Sequence, residues 1–326
     1  MKKIIALFIL SLFFMNVKAL AADGSQLIRI STNETDLILN VGQNGRLYQK
    51  YFGVKLINES DLNQFKDVRR GGPGMPPMGV NSGEVYQTSG AEDYYESALA
   101  ITHVDGNMTT YLKYVSSDVK NQDNNVTETI ITLKDDVYPV TVKIHYITYA
   151  KENIFKTWTE ISHSEKGAIL MSRYASSMLY LDNASYYLTQ FDGNWAKEVG
   201  MHTQKLEFGK KVLDTKLGSR AAMMLQPFFE LGVNAPANEQ QGEVLLGTIG
   251  WTGNFRFTFE VDDAGVLRIS SGINPYASIY DLQPGELFNT PEFIFTLSQS
   301  GTGQASRNFH NWARNYQLKD GKGSRM

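Results

Sequence analysis

The chain has 326 residues, with 31 lysines and arginines against 34 acids, 12% aromatic residues and no cysteine. That length suits one large all-β domain or two smaller ones, and without cysteine there is no disulfide framework, thiolate metal site or cysteine nucleophile. The mildly acidic balance advertises no basic surface for nucleic acid.

Residues 1–21 read as an export signal, with Lys2-Lys3, an apolar run from Ile4 to Met15 and Ala19-Leu20-Ala21 as a small-x-small cleavage site. The run is shorter than the roughly 20 residues that a span needs. The expectation is an exported chain, periplasmic or extracellular, with no membrane span after cleavage. Losing Lys2, Lys3 and Lys18 leaves 28 bases against 34 acids. An exported protein without disulfides needs an extensive core, and 17 Tyr, 17 Phe and 4 Trp supply its bulk.

Alternation of apolar and polar residues predicts strands at 26–32, 36–41 and 46–54, the last two joined by Gly42-Gln43-Asn44-Gly45. Residues 68–90 are rich in glycine and proline, have no period, and read as a long surface loop. Strands at 96–104 and 108–115 flank Asp105-Gly106-Asn107 as a hairpin. Those at 127–134, 140–149 and 154–162 form a meander. Further strands are expected at 169–181, 186–190, 206–214, 220–225 and 242–251.

The most regular pattern follows. Phe255, Phe257, Phe259 and Val261 alternate with Arg256, Thr258, Glu260 and Asp262, predicting a strand with one wet face, and 254–271 reads as a hairpin turning at Asp262-Asp263-Ala264-Gly265. Residues 302–318 place Ala305, Phe309, Trp312, Ala313 and Tyr316 at helical spacing. Strand candidates every 8–12 residues, with one helix at the end, are the pattern of a large β-sandwich.

Chemistry is sparse. Paired carboxylates serve glycoside cleavage, but Asp135-Asp136 and Asp262-Asp263 sit where turns are needed. Glu92-Asp93 differs: it follows the long loop and precedes Tyr94-Tyr95, so it either lines a cleft or rides a solvated loop. His103, His145, His163, His202 and His310 show no ligand spacing, and the first three are expected on wet strand faces; no metal site is expected. No nucleophile elbow, P-loop or dinucleotide fingerprint is present. Trp195 and Trp251 offer faces for a sugar, against the commoner role of a strand aromatic in the core.

Six stretches carry a resemblance. Phe191-Asp192-Gly193-Asn194-Trp195-Ala196-Lys197-Glu198, Gln226-Pro227-Phe228-Phe229-Glu230-Leu231-Gly232, Gly253-Asn254-Phe255-Arg256 and Gly272-Ile273-Asn274-Pro275 come first. Leu282-x-Pro284-Gly285-Glu286-x-Phe288-x-Thr290-Pro291-Glu292 and Ser306-Arg307-x-Phe309-His310 follow. In this order they resemble the N-terminal part of glycoside hydrolase family 36, the α-galactosidases and relatives such as α-N-acetylgalactosaminidases.

The resemblance implies a galactose-mutarotase-like, antiparallel β-supersandwich over residues 22–300. Residues 301–326 would be a connector helix and the truncated start of a (β/α)₈ barrel, which in relatives holds both catalytic aspartates. No catalytic residue is carried over, no cofactor is implied, and the chain alone is expected to be inactive. The implied partners are an α-galactoside oligosaccharide, the barrel in cis or trans, and other copies in a homo-oligomer. In the family, a Gly-Asp-Phe-Arg-Glu-Pro loop contributes an aspartate to the galactose site. The matching residue is Asp93, followed by Tyr94, with Tyr95 at the arginine position, Ser97 at the proline position and Tyr280 where tryptophan is common. Asp93, Tyr94 and Trp195 are the candidate substrate-binding residues. The alternatives are a stand-alone carbohydrate-binding or scaffold module, and an enzyme of another class built on the same sandwich.

Overall fold

Alternation becomes strand almost throughout. A computed structural model describes residues 19–20, 26–64, 83–90, 95–220 and 224–318. In chain order the strands are β1 (Ala19–Leu20), β2 (Gln26–Ser31), β3 (Thr35–Val41), β4 (Leu47–Val54), β5 (Leu99–Thr102), β6 (Leu112–Asn121) and β7 (Val126–Asp135). They continue as β8 (Val140–Tyr149), β9 (Ile154–His163), β10 (Ile169–Asp182), β11 (Tyr186–Asn194), β12 (Lys197–Lys205), β13 (Gly209–Asp214) and β14 (Met224–Val233). The last are β15 (Glu243–Ile249), β16 (Phe255–Val261), β17 (Val266–Ile273), β18 (Tyr280–Leu282), β19 (Leu287–Asn289) and β20 (Phe293–Ser298). Helix α1 (Gly301–Trp312) runs into a π-helical turn, Ala313–Gln317.

The strands form three antiparallel sheets. The largest runs β12-β11-β14-β15-β20-β9-β8-β7-β6, with β19 beside β9. A second runs β13-β16-β17-β10-β18, with β5 also on β10, and a third is β1-β2-β3-β4. Period two on β20 explains the layering. Phe293 and Phe295 share the face that meets the smaller sheets: Phe293 lies 6.2 Å from Phe257, and Phe295 lies 5.8 Å from Phe52. Phe229 packs edge-on to Phe257 and Phe259 at 5.2 and 4.8 Å. Between them Ile294 points the other way, into a second cluster with Val126, Ile147, Tyr149, Ile154 and Trp312 that seats α1. Both faces of the central strands are therefore dry.

The meander and the 254–271 hairpin form as expected, as β6-β7-β8-β9 and β16-β17. Several expectations are corrected. The polar face of the hairpin is not wet: Thr258, Glu260, Asp262, Arg268 and Ser270 are buried, and Gln87 and Tyr95, from far away in the chain, pack on Arg268. The end of the supposed surface loop, Glu84 to Thr88, is interior as well, and the Tyr86 hydroxyl donates to the Ala175 carbonyl at 2.8 Å. Residues 68–82 of that loop lie outside the described residues.

The turn at Asp105-Gly106-Asn107 exists, but its flanks part company, since β5 joins β10 while β6 joins β7. The strand expected at 220–225 is instead Met224–Val233, and β12 has no counterpart in the sequence expectations. Its residues are nearly all exposed, so no apolar alternation marks it. His103, His145 and His163 are buried: strand faces here are covered by carboxylates and rings rather than by water. His103 Nδ1 lies 2.7 Å from Glu165 Oε1, His145 Nδ1 lies 3.1 Å from Glu128 Oε1, and His163 Nε2 donates to the Leu282 carbonyl at 2.9 Å.

Candidate functional site

The register of three neighbouring strands assembles a polar floor. On β16 and β17, Arg256 stands opposite Gly272, Thr258 opposite Ser270, and Glu260 opposite Arg268. Strand β10 adds Arg173 beyond a bulge between Ala175 and Ser177. Charges so placed must find partners, because unpaired burial is costly. Arg268 Nη2 donates to Glu260 Oε2 at 2.5 Å and Nη1 to Gln87 Oε1 at 3.1 Å, while its guanidinium lies 5.0 Å from the centre of the Tyr95 ring.

Glu96 gathers the other cations. Arg173 donates to Glu96 Oε2, Lys210 Nζ donates to Oε1 at 2.6 Å, and Arg256 Nη2 lies 3.8 Å from Oε1. Burial alone would raise the Glu96 carboxyl, but Arg173, Lys210 and Arg256 outweigh it and hold it down to about 2.

These residues border a cleft of about 420 Å³ lined by Thr88, Gly90, Tyr95, Glu96, Arg173 and Pro275, among others. That volume is in the range of small-ligand sites. Glu96 is the one carboxylate among the described residues lining it, and it is ionised and already engaged. Glycoside cleavage uses a proton-donating acid and a second carboxylate, and among the described lining residues Glu96 alone carries a carboxyl group.

Asp93 and Tyr94 lie outside the described residues. Their nearest described neighbours on either side, Gly90 and Tyr95, both line the cleft. Trp195 does not. It sits at the tip of the β11–β12 hairpin, 84% exposed, so it is no core residue. Trp251 is also exposed. Tyr280 donates to Glu286 Oε1 at 2.6 Å, packs on Phe288 and is not among the residues lining the cleft.

The other acid pairs do turn work. Asp135 Oδ1 accepts from the amides of Val137 and Tyr138, and Asp262 Oδ1 from those of Ala264 and Val266. Among the described residues no group of three or more His, Cys, Asp or Glu is placed to hold a metal ion. Sequence reasoning missed Glu96, Arg173, Lys210 and Arg256 as a unit. They come from four separate stretches; Arg256 and Glu96 lay in recognised motifs, whereas nothing in the sequence ties Arg173 and Lys210 to them.

The class of protein now follows. Residues 45–283 match the model of the glycosyl hydrolase family 36 N-terminal domain, and the chain belongs to that family. Similar proteins include the α-galactosidase Mel36A of Lactobacillus acidophilus, 23% identical over 88% of this chain and 42% of its own length. The α-galactosidase AgaA of Geobacillus stearothermophilus is 30% identical over 55% of this chain and 24% of its length. The crystal structure of AgaB from the same organism superposes with a TM-score of 0.83 at 21% identity, over 93% of this chain and 44% of that one. The chain thus spans less than half the length of these relatives. Among the described residues no helix is long and apolar enough to cross a membrane.

Proposed function

We propose that this chain is the non-catalytic sandwich of an α-galactosidase-type glycoside hydrolase. It rests against a (β/α)₈ barrel, in cis or trans, and lends the segment between Gly90 and Tyr95, with Asp93 and Tyr94, to a galactoside site. The observation that carries this reading is the binding cleft whose described rim residues flank that segment, on a domain of this family. AgaA variants crystallised with raffinose and with stachyose support α-galactoside oligosaccharides as the ligand class. Export through residues 1–21 to the periplasm or the exterior, and assembly as a homo-oligomer, belong to the same reading.

The test is hydrolysis of an aryl α-galactoside. The purified chain alone is expected to show none, and a barrel polypeptide added or fused to it is expected to show activity that falls at least tenfold with Asp93→Ala. Turnover by the chain alone that survives Asp93→Ala would sink the proposal.

A second reading, a stand-alone carbohydrate-binding module, draws on the exposed Trp195. It requires that calorimetric titration with galactose, melibiose or raffinose give heat without any barrel, and that Trp195→Ala abolish it.

A further inference from the structure

Behind the cleft lies a second, much smaller space. It is a chamber of about 10 Å³, room for one water-sized particle, lined by Arg173, Arg256, Thr258, Ser270 and the backbone around Gly272. Arg173 and Pro275 line both spaces, so this arginine forms part of the wall between them.

Two buried polar atoms on residues lining the chamber lack a protein partner, Arg256 Nε and Thr258 Oγ1. Thr258 is only 3% exposed. Nearly every buried donor in a folded protein is satisfied, so two orphans on one chamber call for an occupant that accepts hydrogen bonds.

Charge narrows the choice. Arg173, Lys210, Arg256 and Arg268 outnumber the two carboxylates paired with them, Glu96 and Glu260, and Asp214, which stands opposite Arg256 on β13, is itself paired with Lys216. Both carboxylates are already bonded to cations. A water molecule would accept from the two orphans but, being neutral, would leave the excess of positive charge unbalanced. A sulfate or phosphate is too large. We propose that the chamber is a binding site for a single halide ion, chloride under ordinary conditions, held by Arg256 Nε–H, Thr258 Oγ1–H and the field of Arg173. The ion fixes Arg173, and with it one wall of the cleft.

The site is tested on the purified chain without reference to sugar or activity. Crystals soaked in bromide should give an anomalous peak between Arg256 Nε and Thr258 Oγ1. In a gluconate buffer of constant ionic strength, chloride should raise Tm saturably by about 2 °C, while sulfate should not. Arg256→Gln should abolish both signals, and Thr258→Val should cut the chloride shift by roughly half. Density for water only, a carboxylate of the chain itself in the chamber, or a chloride shift unchanged in Arg256→Gln would each overturn the proposal. Should Arg256→Gln fail to fold, the bromide peak in the unaltered chain still decides.

Discussion

Arg268 and Glu260 stand directly opposite each other on β17 and β16, and the guanidinium Nη2 meets Oε2 at 2.5 Å with both side chains almost wholly shielded from water. Removing one partner strands the other charge. Arg268→Met is therefore expected to cost about 3–5 kcal/mol in urea unfolding. The double variant Glu260→Leu with Arg268→Met should recover most of that loss, and a single-variant cost below about 1 kcal/mol would mean that water reaches the pair.

Glu96 gives the chain a signature in acid. Its carboxyl is depressed from the ordinary 4.5 to about 2. A depressed carboxyl stabilises the fold fully above its unfolded value and loses that contribution as pH falls through its folded value. The stability difference between the unaltered chain and Glu96→Gln should thus be on the order of 1–2 kcal/mol at pH 7, discounted for partial exposure. It should shrink between about pH 4.5 and 2, as read by urea midpoints at each pH. A difference that grows on acidification would contradict the ion-pair assignment.

The helix is latched at its far end. Asn125 Nδ2 donates to Glu152 Oε2 at 2.7 Å and to the Tyr316 hydroxyl at 2.6 Å, and Asn315 Nδ2 donates to Glu152 Oε1 at 2.9 Å. Tyr316→Phe should cost about 1 kcal/mol and speed amide exchange in the π-helical turn alone. Trp312→Ala, which empties a buried site beside Tyr149, should cost about 3–5 kcal/mol and expose all of α1 to exchange. Trp312 is buried, and Tyr316 and Leu318 are the exposed large apolar residues at this end of the helix among the described residues.

Gly272 and Gly265 should respond to alanine for different reasons. At Gly272 a new Cβ would sit 3.0 Å from Ala175 Cα and 3.1 Å from the Ser176 amide, at the bulge where two strands approach closely. Overpacking there should cost about 1–3 kcal/mol. At Gly265 there is open space, but φ is +85°, so Gly265→Ala should cost about 1 kcal/mol through backbone strain alone. Thermal melts of the two variants separate the cases, and equal costs would remove the steric explanation.

Much of the fold was legible because period two survives wherever one face is apolar. Residues 255–273 and 126–163 show this, and their strand ends agree with expectation to within a residue or two. What failed was the inference from polar to wet. Thr258, Glu260 and Arg268 look like a solvent face because the residues that pack on this face, Gln87 and Tyr95 against Arg268, are far away in sequence. The three buried histidines failed likewise, each matched to a partner that local pattern does not reveal. The candidate cleft was legible only at its edge. Tyr95 and Glu96 lie within the stretch that resembles the family loop, but Arg173, Lys210 and Arg256 are brought to Glu96 by sheet pairing alone.

Among the described residues the largest sheet ends on two strands unpaired on their outer side. Of these, β12 is exposed along nearly all its length and β6 along its last four residues; they carry Lys197, Lys205, Lys113 and Lys120, and each meets its neighbour through a break in register. A lysine-bearing, kinked margin makes a poor template for a foreign strand. A sheet this broad would otherwise invite copies to join edge to edge while the polypeptide is still folding, so these two margins act as guards against fibrous aggregation.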